Sequence, residues 1–173
     1  MAKAKKNRRS DHTLHYTIIQ RRLVQTKAWH ALTTAAQSLY PLIRLEWKGE
    51  KFNNNGAIAL SVRQAAALMG VTKDTSSKAF QDLQGKGFIV VHKFAVLGQH
   101  GQGRATEYEL TELPMPGLKS GWRLFEQWDE NNSFPVHKSM KNNPSGRQTK
   151  NKSRHKKSDQ AVIEISTYKK SLS

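Results

Sequence analysis

The stretch "SVRQAAALMGVTKDTSSKAFQDLQGKGFI", residues 61–89, constrains the fold more than any other part of the chain. It holds two short amphipathic segments on either side of Gly70, a residue that tolerates the positive φ of a tight break. Ser61 and Gln64 have the spacing of a capping box, which predicts a helix over residues 62–69. The stretch therefore predicts two short helices joined by a turn.

The second of these helices has two chemically different faces. Thr72 can cap its start, and Gly87 is expected to end it in the left-handed conformation, so the helix covers about residues 73–86. At helical spacing one face is small or apolar and is assigned to the core: Ser76, Ala79, Phe80 and Leu83. The other face has short polar and charged side chains suited to a major groove: Lys73, Asp74, Ser77, Lys78 and Gln81.

Strand patterns lie on both sides of the helix pair. "AIALS" predicts a small strand before it, while "FIVVHKF" and "ATEYELT" predict a β-hairpin with a Gly-rich tip after it. Cations and polar residues near this tip are expected to reach the minor groove or phosphates: Lys93, His100, Gln102 and Arg104, of which Arg104 is preferred. The predicted class is α+β, mainly α with a small β-hairpin, in the order of a winged helix-turn-helix.

Two helices are predicted upstream of this unit. Residues 14–26 have apolar residues near helical spacing, although their β-branched content leaves a strand open. Residues 27–49 predict one long helix with a kink or break near Tyr40, because Pro41 removes a backbone donor. Its apolar stripe recurs every 3.6 residues: Trp29, Leu32, Ala36, Leu39, Ile43 and Trp47.

The charge of the chain divides it into regions. Of the formal net charge of +16, residues 1–13 carry five Lys or Arg against one acid, and residues 136–173 carry ten against two. Such compositions cannot bury enough apolar surface to order themselves, so both are expected to be disordered basic arms with a polyanion as partner. Between them we predict a DNA-binding domain over residues 14–113 and an aromatic-containing extension over residues 114–135.

The aromatic residues fit packing better than base stacking. In the predicted domain Trp29, Tyr40, Trp47, Phe80 and Phe88 occupy core positions of helices or strands. In the extension, "GWRLFEQW" places aromatic residues three apart: Trp122, Phe125 and Trp128. We expect this edge to dock onto the domain, with a partner-binding surface as the alternative.

Signals for other classes of function are weak. The chain has no cysteine, and its seven histidines do not form a metal-binding motif, so neither a metal nor a cofactor is expected and the protein is not predicted to be an enzyme. No apolar run approaches the length of about 18 residues that a membrane helix needs. Without an apolar region behind the basic start, a secretory signal is not expected either, and we expect a cytoplasmic protein.

Several of these stretches together resemble a bacterial family of winged helix-turn-helix proteins found on prophages and other mobile elements. The similarity covers about residues 14–128 and is carried by Trp29, "NNNGAIALSVRQAAALMG", "KAFQDLQGKGFIVV", "RATEYELT" and "GWRLFEQW". The resemblance implies a DNA-binding domain. The basic C-terminal region departs from the family pattern.

These observations lead to three hypotheses on function. The first is a sequence-specific DNA-binding regulator of transcription that contacts double-stranded DNA, with the long first helix as a possible homodimer surface. The second is a plasmid or phage replication or partition initiator, in which the aromatic segment and tail bind a replication protein. The third is an RNA-binding ribonucleoprotein component, because lysine-rich arms also suit structured RNA.

Overall fold

The computed structural model of the protein describes residues 16–95 and 104–138. In these ranges the chain is mixed α+β. The helices are α1 (Arg21–Val24), α2 (Lys27–His30), α3 (Thr34–Leu45), α4 (Val62–Met69) and α5 (Lys73–Gly85). The strands are β1 (Ile58–Ala59), β2 (Ile89–Lys93) and β3 (Glu107–Leu110), and 3-10 turns cover Glu50–Phe52 and Leu124–Glu126. Both predicted basic arms lie almost wholly outside the described residues.

The three strands form one small antiparallel sheet in the order β1-β3-β2. Within the hairpin Ile89 is opposite Leu110, and on the other side of β3 Ile58 is opposite Tyr108. The pairing of β2 with β3 shifts between Val91 and Lys93. The short strand predicted in "AIALS" thus joins the predicted hairpin, and the Gly-rich tip falls outside the described residues.

The predicted helix over residues 14–26 is largely wrong. Residues 16–20 have no regular structure, and only the single turn α1 is helical. Arg44 donates from Nε to the backbone oxygen of Ile18 at 2.7 Å, which ties this segment to α3 in a non-helical conformation. The β-branched run of Thr17, Ile18 and Ile19 also disfavours a helix because χ1 is restricted there.

The predicted break in the long helix is real but misplaced. The chain breaks between α2 and α3, whereas Pro41 lies inside α3. Thr33 caps α3 by accepting from the amide of Ala36 at 3.3 Å. Asp82 of α5 accepts from both the backbone amide and the hydroxyl of Thr33, at 2.8 and 2.9 Å. The position of the break is therefore fixed by a tertiary contact that the local sequence does not reveal.

The core lies between α3, α5 and the sheet. Of the predicted stripe, Trp47 is only half-buried, and the remaining five residues are buried: Trp29, Leu32, Ala36, Leu39 and Ile43. The rings of Trp29, Tyr40 and Phe88 meet edge to face with centroids 5.6 to 5.8 Å apart. The predicted packing role of these aromatic residues is confirmed.

A buried polar cluster links α3 to the segment after β3. Arg44 Nη1 lies 3.2 Å from Glu112 Oε2, and the Tyr40 hydroxyl donates to the same oxygen at 2.6 Å. Burial and the neighbouring Glu112 carboxylate raise the pKa of Tyr40 well above its ordinary value. Tyr40 therefore remains a hydroxyl donor to Glu112 at physiological pH.

The extension after β3 folds back onto the domain. Leu124 and Phe125 are buried, and the ring of Phe125 stacks on Phe88 with centroids 5.0 Å apart. The backbone amide of Arg123 donates to the carbonyl of Thr111 at 2.8 Å. The expected docking of the "GWRLFEQW" segment is thus confirmed for Phe125, its central aromatic residue.

Candidate nucleic-acid interface

The turn between α4 and α5 has the predicted local geometry. Ser61 and Gln64 form the capping box at the start of α4, and Gly70 ends that helix with φ 66°. Val71 then donates its backbone N–H to the carbonyl of Ala66 at 3.0 Å, which closes the turn. Thr72 caps α5. The two helices are therefore oriented by residues within the turn itself.

Packing across the helix pair fixes the rotation of α5 about its axis. Ser76, predicted for the inner face, is fully buried and donates its hydroxyl to the carbonyl of Val62 in α4 at 3.1 Å. Phe80 stacks on Tyr108 of β3 with centroids 5.1 Å apart. At the end of the helix, Gly87 has φ 76° and Phe88 donates its backbone N–H to the carbonyl of Leu83 at 2.9 Å. The inner face of α5 is thus set by the core.

The outer face of α5, defined as Lys73, Asp74, Ser77, Lys78 and Gln81, is brought together on one side of the helix. Lys73, Asp74 and Lys78 are exposed, whereas Ser77 and Gln81 are half-buried. The side-chain amide of Gln81 donates to the hydroxyl of Ser77 at 3.3 Å. A contact of Gln81 with a base would therefore require a rotation that gives up this long hydrogen bond.

The hairpin supplies two further cations. Lys93 is exposed and lies 2.8 Å from the carboxylate of Glu107 on the facing strand. The paired Glu107 oxygen is buried, so a phosphate contact by Lys93 would compete with this ion pair. Arg104 is exposed at the start of the returning segment. His100 and Gln102, also predicted near the tip, lie outside the described residues.

A small groove separates α5 from the hairpin. Its volume is about 120 Å³, and its lining includes Ser77, Gln81, Gln84, Thr106 and His137. The groove thus adjoins the half-buried part of the outer face. Burial lowers the pKa of His137, which favours its neutral form in this position.

Two features of this region were not predicted. Gln84 is buried and joins α5 to His137, a residue 53 positions later that the sequence assigned to the basic tail. The only sequence signal for Gln84 is its place at the boundary between the inner and outer faces. Arg63, in the first turn of α4, is exposed and adds a cation to the same helix pair.

Within residues 16–95 and 104–138, no group of three or more His, Asp or Glu side chains is placed to hold a metal ion. No helix in those ranges is both long and apolar enough to cross a membrane.

Comparisons with protein-family models, with curated proteins and with solved structures each found no significant match to the chain.

Proposed function

We propose that the protein binds double-stranded DNA through a winged helix-turn-helix, with α5 as the recognition helix in the major groove. The observation that carries the proposal is the division of α5 into a buried inner face and a polar outer face with exposed Lys73, Asp74 and Lys78. The order of α4, α5 and the β2–β3 hairpin, with β1 completing the sheet, supports it. The resemblance of the sequence to winged helix-turn-helix proteins of mobile elements adds support of a different kind.

Each outer-face residue has a role that follows from its chemistry. Gln81 can pair in a bidentate manner with an adenine, and Lys73 or Lys78 can contact guanine or phosphate. Asp74 can accept from a cytosine amino group but also repels nearby phosphates. Ser77 can donate to a base or to phosphate.

The hairpin is proposed to lie on the adjacent backbone. Lys93 and Arg104 are exposed at its distal part, where side chains of their length reach phosphates or the minor groove. Phosphate contacts of this kind position a protein on the duplex, while the contacts of α5 with base edges select the sequence.

We propose that the protein is a cytoplasmic regulator of transcription. A repressor or activator needs to recognise base edges and does not need a catalytic group. If two copies of the chain bind as a symmetric dimer, their DNA site should be an inverted repeat. A replication or partition initiator would use the same contact and recruit a further protein. A ribonucleoprotein component would use the basic surfaces on structured RNA instead.

Selection of bound sequences from random pools tests the proposal and separates its alternatives. The full chain is incubated with a pool of random DNA duplexes and, in parallel, with a pool of random structured RNA. We expect one enriched duplex motif, with matches at promoters of the encoding genome. Matches confined to one replication origin or partition site would favour the initiator. Enrichment of RNA alone would overturn the proposal.

A further inference from the structure

Residues 134–138, here called the strap, pack against the C-terminal half of α5. The backbone amide of Phe134 donates to the carbonyl of Gly85 at 2.9 Å. The ring of Phe134 lies 2.7 Å from where a Cβ on Gly87 would stand. Both this close approach and the positive φ of the residue therefore require glycine at position 87. A side-chain carbon of Val136 lies 3.4 Å from where a Cβ on Gly85 would stand. The strap therefore follows the helix instead of leaving the domain at residue 133.

His137 ties the strap to both α5 and the hairpin. Its backbone N–H donates to Gln84 Oε1 at 2.8 Å, and Gln84 Nε2 donates back to the carbonyl of His137 at 3.4 Å. Gln84 Nε2 also donates to the carbonyl of Phe80 at 3.1 Å, which holds the amide in place. On the other side, the imidazole of His137 contacts the ring of Phe94 with centroids 4.1 Å apart.

These contacts bring the strap to the edge of the outer face. Gln84 follows Gln81 by three residues and Ser77 by seven, so all three lie near one another along the same side of the helix. Lys138, the next residue after His137, is exposed. A cation thus emerges at the edge of the groove that Ser77, Gln81 and Gln84 help to line.

We propose that the strap is a third element of the nucleic-acid interface and that Lys138 contacts a backbone phosphate of the duplex bound by α5. This inference rests on the proposed function and adds a contact residue to it. The charge of the strap favours this role over occlusion of α5. A segment that covers α5 by imitating DNA would be acidic, whereas residues 134–138 contain Lys138 and no acid.

Substitution of Lys138 measures the phosphate contact. Loss of one contact should reduce the slope of log affinity against log salt by about 0.9, which corresponds to about fivefold weaker binding at about 0.15 M salt. Lys138→Ala should show this loss on the selected duplex and on an unrelated one. Lys119→Ala is the matched control. Lys119 is also an exposed lysine, but it lies in the loop that follows the C-terminal end of β3, which is the end away from the hairpin tip. The control should bind as wild type does.

Release of the strap tests whether its tether positions Lys138. Gln84→Leu removes both hydrogen bonds to His137 at similar volume, and His137→Pro removes the backbone donor without altering α5. Either change should weaken binding, and Lys138→Ala added to it should cost less than in the wild-type background. Thermal unfolding of each variant shows whether the domain is still folded. If Gln84→Leu does not fold, His137→Pro alone provides the test.

The outcomes separate the inference from the proposed function. If wild-type protein selects a duplex but Lys138→Ala keeps its affinity and salt slope, the strap is not part of the interface. Tighter binding by His137→Pro would show that the strap occludes α5 and would also overturn the inference. If wild-type protein selects no duplex, the proposed function fails and the inference fails with it.

Discussion

Leu83→Ala should strongly destabilise the domain, because Leu83 is where α5 meets the core. Its side chain is fully buried on the inner face, and its carbonyl accepts the bond from Phe88 that ends the helix. Leucine to alanine substitutions at such sites cost about 2 to 5 kcal/mol, and a site with no exposure inside the core cluster belongs in the upper half of that range. With about 3 to 6 °C per kcal/mol for a domain of this size, Tm should fall by about 10 to 30 °C.

Leu68→Ala is the matched control for this prediction. Leu68 is also a helical leucine, in α4, but it is 62% exposed. Both substitutions change the helix propensity equally, so the difference between them isolates burial. Thermal and urea unfolding followed by circular dichroism should give a change within about 0.5 kcal/mol for the control. Equal effects of the two substitutions would refute the assignment of Leu83 to the inner face.

Three further predictions concern charge, a buried hydroxyl and pH. Asp74→Ala should tighten binding to unrelated duplexes, because it removes an exposed carboxylate from the outer face; weaker binding would show that Asp74 makes an essential contact. Tyr40→Phe should lower the free energy of unfolding by about 1 to 3 kcal/mol in urea titrations, since Glu112 loses a buried charged hydrogen bond; no loss would show that Arg44 satisfies it alone. Since burial lowers the pKa of His137, the stability that its docking contributes should be fully present above pH of about 6.5 and lost as the pH falls through the lowered value. An NMR titration midpoint of His137 at or above about 6.5 would contradict this.

The helix pair was predictable because its signals are local. The capping box of Ser61 and Gln64, the positive φ of Gly70 and the cap of Thr72 each act within a few residues, and the structure confirms all of them. The left-handed conformation of Gly87 after α5 was predictable for the same reason.

Features set by distant contacts were not predictable. Pro41 was the strongest local signal for a helix break, yet the helix ends earlier because Asp82 holds Thr33 across 49 residues. The strap is a similar case, since the contact of Gln84 with His137 spans 53 residues and has no local pattern. Composition alone suggested that the positively charged segment from residue 136 onward cannot pack, but hydrogen bonds to one buried glutamine amide hold its first residues in place.

A comparison of two outer-face variants tests the central claim most directly. The affinities of Gln81→Ala and Lys78→Ala are measured on the selected duplex and on an unrelated duplex of equal length, with circular dichroism to verify the fold. If α5 reads the major groove, Gln81→Ala should lose about 1 to 3 kcal/mol, about 5- to 150-fold, on the selected duplex alone. Lys78→Ala, as a phosphate contact, should weaken both and reduce the salt slope by about one. Wild-type affinity of both folded variants for both duplexes would contradict the claim that α5 is the recognition helix.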